Sequence, residues 1–239
     1  MGGFLSEVIV HPRIEVNRSK FPFNLPAFRA FDRLPLHPDL TFFVGENGSG
    51  KSTMLEAIAV NYGLPAEGGT KDHRFSTYDS HSDLHDKIIV AKAGYPAEAM
   101  FLRAETFYNV ASYVDRQARG AGGAPRMGWI HKRSHGEGFH DALASLKPPG
   151  VYFMDEPESA LSVQGQLKLL ARMKWLIAEG SQLVIATHSP VLLGFGAGWI
   201  YEFCPEGIHR REYEETAPYQ LTLDFLRNRR RYNDILGPE

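Results

Sequence analysis

The 239 residues carry 26 Lys and Arg against 28 Asp and Glu, a formal charge of −2, with 43% hydrophobic residues and one cysteine. That length suits one large α/β domain, or two small ones, with a buried core, and so weak a net charge selects neither nucleic acid nor membrane by composition alone. Cys204 by itself excludes an internal disulfide and a cysteine-rich zinc module, and no apolar run reaches the roughly 18 to 20 residues that span a bilayer.

Residues 1–40 carry five prolines and read as short strands separated by turns, behind an opening with no signal-peptide character. Thr41 to Val44 is a short apolar run ended by Gly45, the pattern of a buried strand. Met54, Leu55, Ile58 and Ala59 then fall at helical spacing within Lys51 to Tyr62, stopped by Gly63 and Pro65. No clear period follows between Ala66 and Asp86. Ile88 to Val90 and Met100 to Leu102 predict strands, Thr106 to Gln117 a helix, and Gly120 to Pro125 a flexible break. Beyond it come a short helix over Gly138 to Leu146, a strand over Val151 to Met154 and a long amphipathic helix over Ala160 to Ala178. Leu183 to Ala186 is another strand. Trp199 to Phe203 and Ile208 to Tyr213 suggest a hairpin, with a last helix from Gln220 to about Arg230. Strands alternating with helices predict a single α/β domain over 1–239, with a mainly parallel sheet covered on both faces.

The run Gly45-Glu46-Asn47-Gly48-Ser49-Gly50-Lys51-Ser52-Thr53 has the G-x-x-x-x-G-K-[ST] spacing between a predicted strand and a predicted helix. Its glycines let the backbone wrap a phosphate chain with N–H groups pointing inward, and the helix start adds its positive dipole end. Lys51 then reaches the β- and γ-phosphates and Ser52 ligates Mg²⁺, so the expected cofactors are ATP and Mg²⁺. Val151 to Glu156 is an apolar strand ending in two acids, Asp155 for the metal and Glu156 as general base toward an attacking water. Two acids of this kind favour hydrolysis over small-molecule phosphorylation. His188 follows the next strand, where it either contacts the γ-phosphate and positions the water or belongs to a cap made through Thr187 or Ser189.

In this order the motifs resemble the ATP-binding-cassette (ABC-type) ATPases, close to their RecF- and SMC-like members. The whole chain is similar to small bacterial AAA/ABC-type ATPases, through Phe21 to Pro26, Phe42 to Thr53, Phe101 to Glu105, Ser134 to Gly138, Asp155 to Ser162 and Ile185 to Pro190. The resemblance implies a P-loop NTPase fold, with a short helical lobe at about 104–147 inserted in the domain. It also implies an ATP-dependent homodimer in which each site borrows a signature segment from its partner. Arg133 to Glu137 falls where that segment belongs, so Ser134 and Gly136 would contact the γ-phosphate in trans; an ordinary polar loop is the other reading. His135 and Arg133 depart from the family pattern, and Ser159 to Ser162 matches the loop that faces the dimer partner. The family's glutamine between phosphate loop and signature is missing. Glu105 would ligate Mg²⁺ or water instead, and Arg103 would touch a phosphate. Phe21 and Phe23 are candidates to stack on the base.

His73, His81 and His85 lack the further ligand a zinc site needs, and the basic run Arg227 to Arg231 reads as a solvated helix end that could also meet nucleic-acid phosphates. Three roles follow for a cytoplasmic ATPase without membrane insertion. It is a switch in DNA repair or defence, the ATP-binding subunit of a membrane transporter, or a nucleotide-gated module acting on a protein partner. The missing glutamine weighs against transport, and 239 residues leave no room for a long coiled-coil arm.

Overall fold

The computed structural model describes residues 3–70, 82–106 and 135–237. Ten strands occur among them: β1 (Leu5–Val10), β2 (Arg33–Pro35), β3 (Leu40–Gly45), β4 (Gly69–Thr70), β5 (Ile88–Lys92), β6 (Glu98–Arg103), β7 (Gly150–Asp155), β8 (Gln182–Ala186), β9 (Trp199–Cys204) and β10 (Gly207–Arg211). The helices are α1 (Lys51–Tyr62), α2 (Leu84–Lys87), α3 (His135–Ser145), α4 (Val163–Ala178), α5 (Pro190–Leu193), α6 (Ala217–Arg227) and α7 (Arg229–Leu236).

Seven strands form a central sheet in the order β10-β9-β3-β8-β7-β6-β4. The inner five run parallel, and β10 and β4 close the edges antiparallel. Alternate side chains divide the core between the two faces. Phe43, Val151, Phe153, Val184 and Ala186 pack on one side, whereas Phe42, Val44, Tyr152, Met154, Leu183 and Ile185 pack on the other. A parallel sheet buried on both faces has this pattern, because crossover helices cover each side. Helices α3, α4 and α5 contribute to the second face through Phe139, Leu169, Met173, Leu176 and Leu192.

The first face departs from the simple α/β expectation. Strands β2, β1 and β5 make a separate three-stranded antiparallel sheet rather than joining the central one. Helix α1 contacts β3, β7 and β8 of the large sheet and also β5 of the small one. It is therefore apolar nearly all round, with Met54, Leu55, Ala57, Ile58, Ala59 and Tyr62 all buried. Gln182 ties the layers together, accepting from Leu5 N at 2.7 Å and donating to the carbonyls of Leu5 and His37.

Two helix boundaries also differ from expectation. The long helix starts at Val163 rather than Ala160, because Pro157 opens a 3-10 turn over Pro157–Ala160 and Ser162 caps the helix by accepting from Gly165 N. The last predicted helix is two, α6 and α7, meeting at Asn228. Thr106 closes the described part of its segment; the rest of the helix predicted to Gln117, and the break at Gly120 to Pro125, lie outside the described residues.

Candidate active site

The parallel register brings the chemistry together. Phe43 of β3 lies beside Ala186 of β8, Ala186 beside Asp155 of β7, and Asp155 beside Arg103 of β6. The carboxyl ends of four strands therefore deliver the phosphate loop, His188, the Asp155-Glu156 pair and Arg103 to one edge of the sheet, where open α/β sheets place their ligands.

In the phosphate loop, Gly45, Gly48 and Gly50 all have positive φ. A Cβ on Gly50 would come within 2.3 Å of the Phe28 ring, and one on Gly45 within 2.4 Å of the Phe203 carbonyl oxygen. Both positions therefore need glycine for space as well as for conformation. Phe28, Phe43 and Phe203 form the aromatic floor behind them, with ring centroids 5.2 to 6.0 Å from Phe203. Gly48 faces open space.

Lys51 is only 3% exposed, and its Nζ donates to the Glu46 carbonyl at 2.9 Å, back across the loop. Burial lowers the Lys51 pKa, against the raising influence of Glu156, Asp155 and Glu158. Ser52 Oγ donates to Asp155 Oδ1 at 2.8 Å across 103 residues of sequence. Burial raises the Asp155 pKa, opposed by the Arg103 charge and the Ser52 hydrogen bond and assisted by Glu156 and Glu105. A buried ammonium beside a glycine loop in left-handed conformations suits a polyphosphate. A buried carboxylate hydrogen-bonded to a hydroxyl suits a hard divalent cation, so the donor set fits Mg²⁺ with nucleotide.

Glu156 follows β7 with φ 47° and ψ 53°, and it is the one non-glycine residue with positive φ among the described residues. Its N–H donates to the Ala186 carbonyl at 2.9 Å, and its carbonyl accepts from Ser159 N and Ser159 Oγ. The left-handed turn is thus held from both sides. Glu156 Oε1 lies 3.3 Å from His188 Nε2, and each side chain is 33% exposed. The cap expected in the His188 loop is present, Ser189 accepting from Val191 N and Leu192 N at the start of α5, and the imidazole faces Glu156.

A cavity of about 310 Å³ is lined by Asn47, Gly48, Gly50, Lys51, Ser52, Thr53, Glu105 and Glu156, with Phe21 and Leu25 at its side. Phe21 is 54% exposed, whereas Phe23 is buried against Phe28 and so is not free to stack on a base. A larger cleft of about 700 Å³ adjoins Gly45 to Ser49 and His188 and extends to Pro205 and Leu221. Ser134 lies outside the described residues. Gly136 sits in the first turn of α3. Among the described residues, no three His, Cys, Asp or Glu side chains gather as a metal-binding group. His73 and His81 lie outside them, and His85 pairs with Asp86.

A family model described as "AAA domain" matches residues 24–124, and one described as "AAA domain, putative AbiEii toxin, Type IV TA system" matches residues 139–194. A curated Streptomyces coelicolor protein named "Putative ABC transporter ATP-binding protein" is 30% identical over 180 residues, or 64% of this chain. The chain spans 30% of that relative's length. A solved structure described as an inward-facing conformation of a metal-chelate type ABC transporter has a TM-score of 0.50 at 19% identity, covering 93% of this chain and 89% of that one. The SMC head domain from Thermotoga maritima has a TM-score of 0.46 at 13% identity, covering 87% and 98%. The chain thus matches AAA-domain models over two separate stretches and shares its fold with the ABC transporter structure.

One polar residue of this site escapes sequence reasoning. Glu158 Oε1 accepts from His188 N at 2.6 Å, and its Oε2 is buried without a hydrogen-bond partner among the described residues. Thirty residues separate the pair, so the one local signal was a third acid close behind Asp155 and Glu156. Arg103, expected to reach a phosphate, is instead held between Glu56 at 2.7 Å and Asp155 at 3.3 Å. No helix among the described residues is long and apolar enough to cross a membrane.

Proposed function

We propose that this domain binds Mg²⁺–ATP, hydrolyses it, and dimerises on ATP so that hydrolysis opens the dimer. The observation that carries the reading is that buried Lys51, Ser52 and Glu156 line one cavity, with Ser52 hydrogen-bonded to Asp155 and Glu156 in contact with His188 behind them. Gly45 to Thr53 cradle the phosphates through backbone N–H groups, and Lys51 offsets their charge. Mg²⁺ would be held by Ser52 and Asp155, with Glu105 at the cavity wall, and would neutralise charge on the phosphate oxygens. Glu156 takes a proton from the attacking water as general base. His188 orients Glu156, and Glu158 fixes the backbone at His188. Phe21 is the aromatic placed to meet the base.

Ser134 and Gly136 of one copy complete the partner's site. In that arrangement the 11-residue helix α3 would present the positive end of its dipole to the γ-phosphate. The favoured setting is a cytoplasmic switch in DNA repair or defence. A second reading, the ATP-binding subunit of a transporter, gains support from the likeness to ABC transporter proteins and sets the missing glutamine at lower weight. Both use the same site and differ in what the dimer moves. Replacing Glu156 by Gln tests the shared core: an ATP-dependent dimer that persists in sedimentation supports it, and a monomer with full turnover overturns it. DNA-stimulated hydrolysis, or capture of a membrane partner by the trapped dimer, separates the settings.

A further inference from the structure

The Arg103 side chain is 20% exposed and lies among two carboxylates that are themselves 14% and 7% exposed. Its Nη1 donates to Glu56 Oε2 at 2.7 Å and to the Ala66 carbonyl at 3.1 Å. Its Nε sits 3.3 Å from Asp155 Oδ2, is buried, and makes no hydrogen bond among the described residues. The other Asp155 oxygen accepts from Ser52. One guanidinium is thus shared between an acid of α1 and the acid assigned to the metal. Two negative charges face one positive charge, in a region where burial strengthens every electrostatic interaction.

From this arrangement we infer that the Arg103–Glu56 pair sets the divalent-cation affinity of the nucleotide site, Arg103 acting as a positioning residue on Asp155. The inference rests on the Mg²⁺–nucleotide reading above. Arg103 orients Asp155 by holding Oδ2, which leaves Oδ1 toward Ser52. The same charge opposes a cation drawn to Asp155, and Glu56 offsets part of it. Removing Arg103 therefore tightens cation binding. Removing the Glu56 charge leaves more of the guanidinium field on Asp155 and weakens cation binding. Opposite signs from two partners in one ion pair distinguish this role from a structural one, because mere loss of packing moves both variants in the same direction.

The test measures Mn²⁺ binding by electron paramagnetic resonance, and Mg²⁺ dependence of ADP binding by calorimetry, on the full chain. Arg103→Gln is expected to tighten Mn²⁺ about tenfold and Glu56→Gln to weaken it about tenfold, with the double variant between them, each tenfold step corresponding to about 1.4 kcal/mol. Thermal melts accompany each variant, and where Arg103→Gln does not fold, the double variant decides: binding Mn²⁺ more tightly than Glu56→Gln supports the inference, and binding it no more tightly overturns it. Unchanged affinities, or weakening in both single variants, overturn the inference while nucleotide binding stands. ADP binding that is indifferent to Mn²⁺ in the unmodified protein, and to Asp155→Asn, overturns the site reading itself.

Discussion

At Glu156 the usual stability order of alanine and glycine should reverse. The residue sits at φ 47° and ψ 53°, where an L side chain crowds its own carbonyl and costs roughly 1–2 kcal/mol. Glycine escapes that cost but loses about 0.5–1 kcal/mol more backbone entropy on folding. Both Glu156→Ala and Glu156→Gly delete the contact with His188, which is one-third exposed on each side, so that loss cancels in the comparison. The glycine variant should therefore be the more stable by about 0.5–1 kcal/mol, equivalent to about 1–4 °C in Tm for a chain of this length. Thermal denaturation followed by circular dichroism, with nucleotide omitted, reads the difference directly. Both variants should lose turnover by about 10²-fold or more, as expected for a missing general base. An alanine variant more stable than the glycine variant would refute the reasoning, because Glu156 would then not occupy the left-handed turn in solution.

Lys51→Met removes a buried charge, so its melting temperature without nucleotide should equal or exceed that of the unmodified protein. The ATP-induced shift should vanish; for the unmodified protein, ligand at a hundred times Kd contributes about 2.7 kcal/mol. Asp155→Asn tests the raised carboxyl pKa. The folded protein holds the Asp155 proton more tightly than the unfolded chain, so this residue's contribution to stability falls as pH rises from the ordinary carboxyl value of 3.8 through the raised folded value. The melting temperature of Asp155→Asn relative to the unmodified protein should climb over that window and level off above it; a constant difference would count against burial as the cause. Glu158→Ala leaves the His188 N–H without its acceptor and should cost about 1–3 kcal/mol and lower kcat, whereas Glu158→Gln, which keeps an acceptor, should restore stability. Equal melting temperatures for the two would dismiss Glu158 as an anchor.

Helix α1 shows why part of this protein was legible from its residues alone. Its bounds match the expectation to the residue, because Gly50 and Gly63 both take left-handed conformations at its ends, φ 104° and 105°, and glycine is the residue that does so freely. The phosphate loop and the Asp155-Glu156 strand end were equally readable, since their chemistry is carried by adjacent residues. The start of α4 was misplaced by three positions because the amphipathic period runs back through the Pro157–Ala160 turn, and the Ser162 cap outweighs it.

Local sequence determined which residues make up the phosphate-loop pattern: spacing along the backbone is short-range, and glycine, lysine and serine act through it directly. Tertiary structure alone decided the partners. Ser52 meets Asp155, Glu158 holds His188, and Arg103 divides itself between Glu56 and Asp155, each across 30 or more residues. It also drew β1, β2 and β5 into a second sheet over α1. The physical reason is register. In a parallel sheet, neighbouring strand ends are aligned by hydrogen bonds between segments far apart in the chain, and no local pattern names which residue will stand beside Asp155.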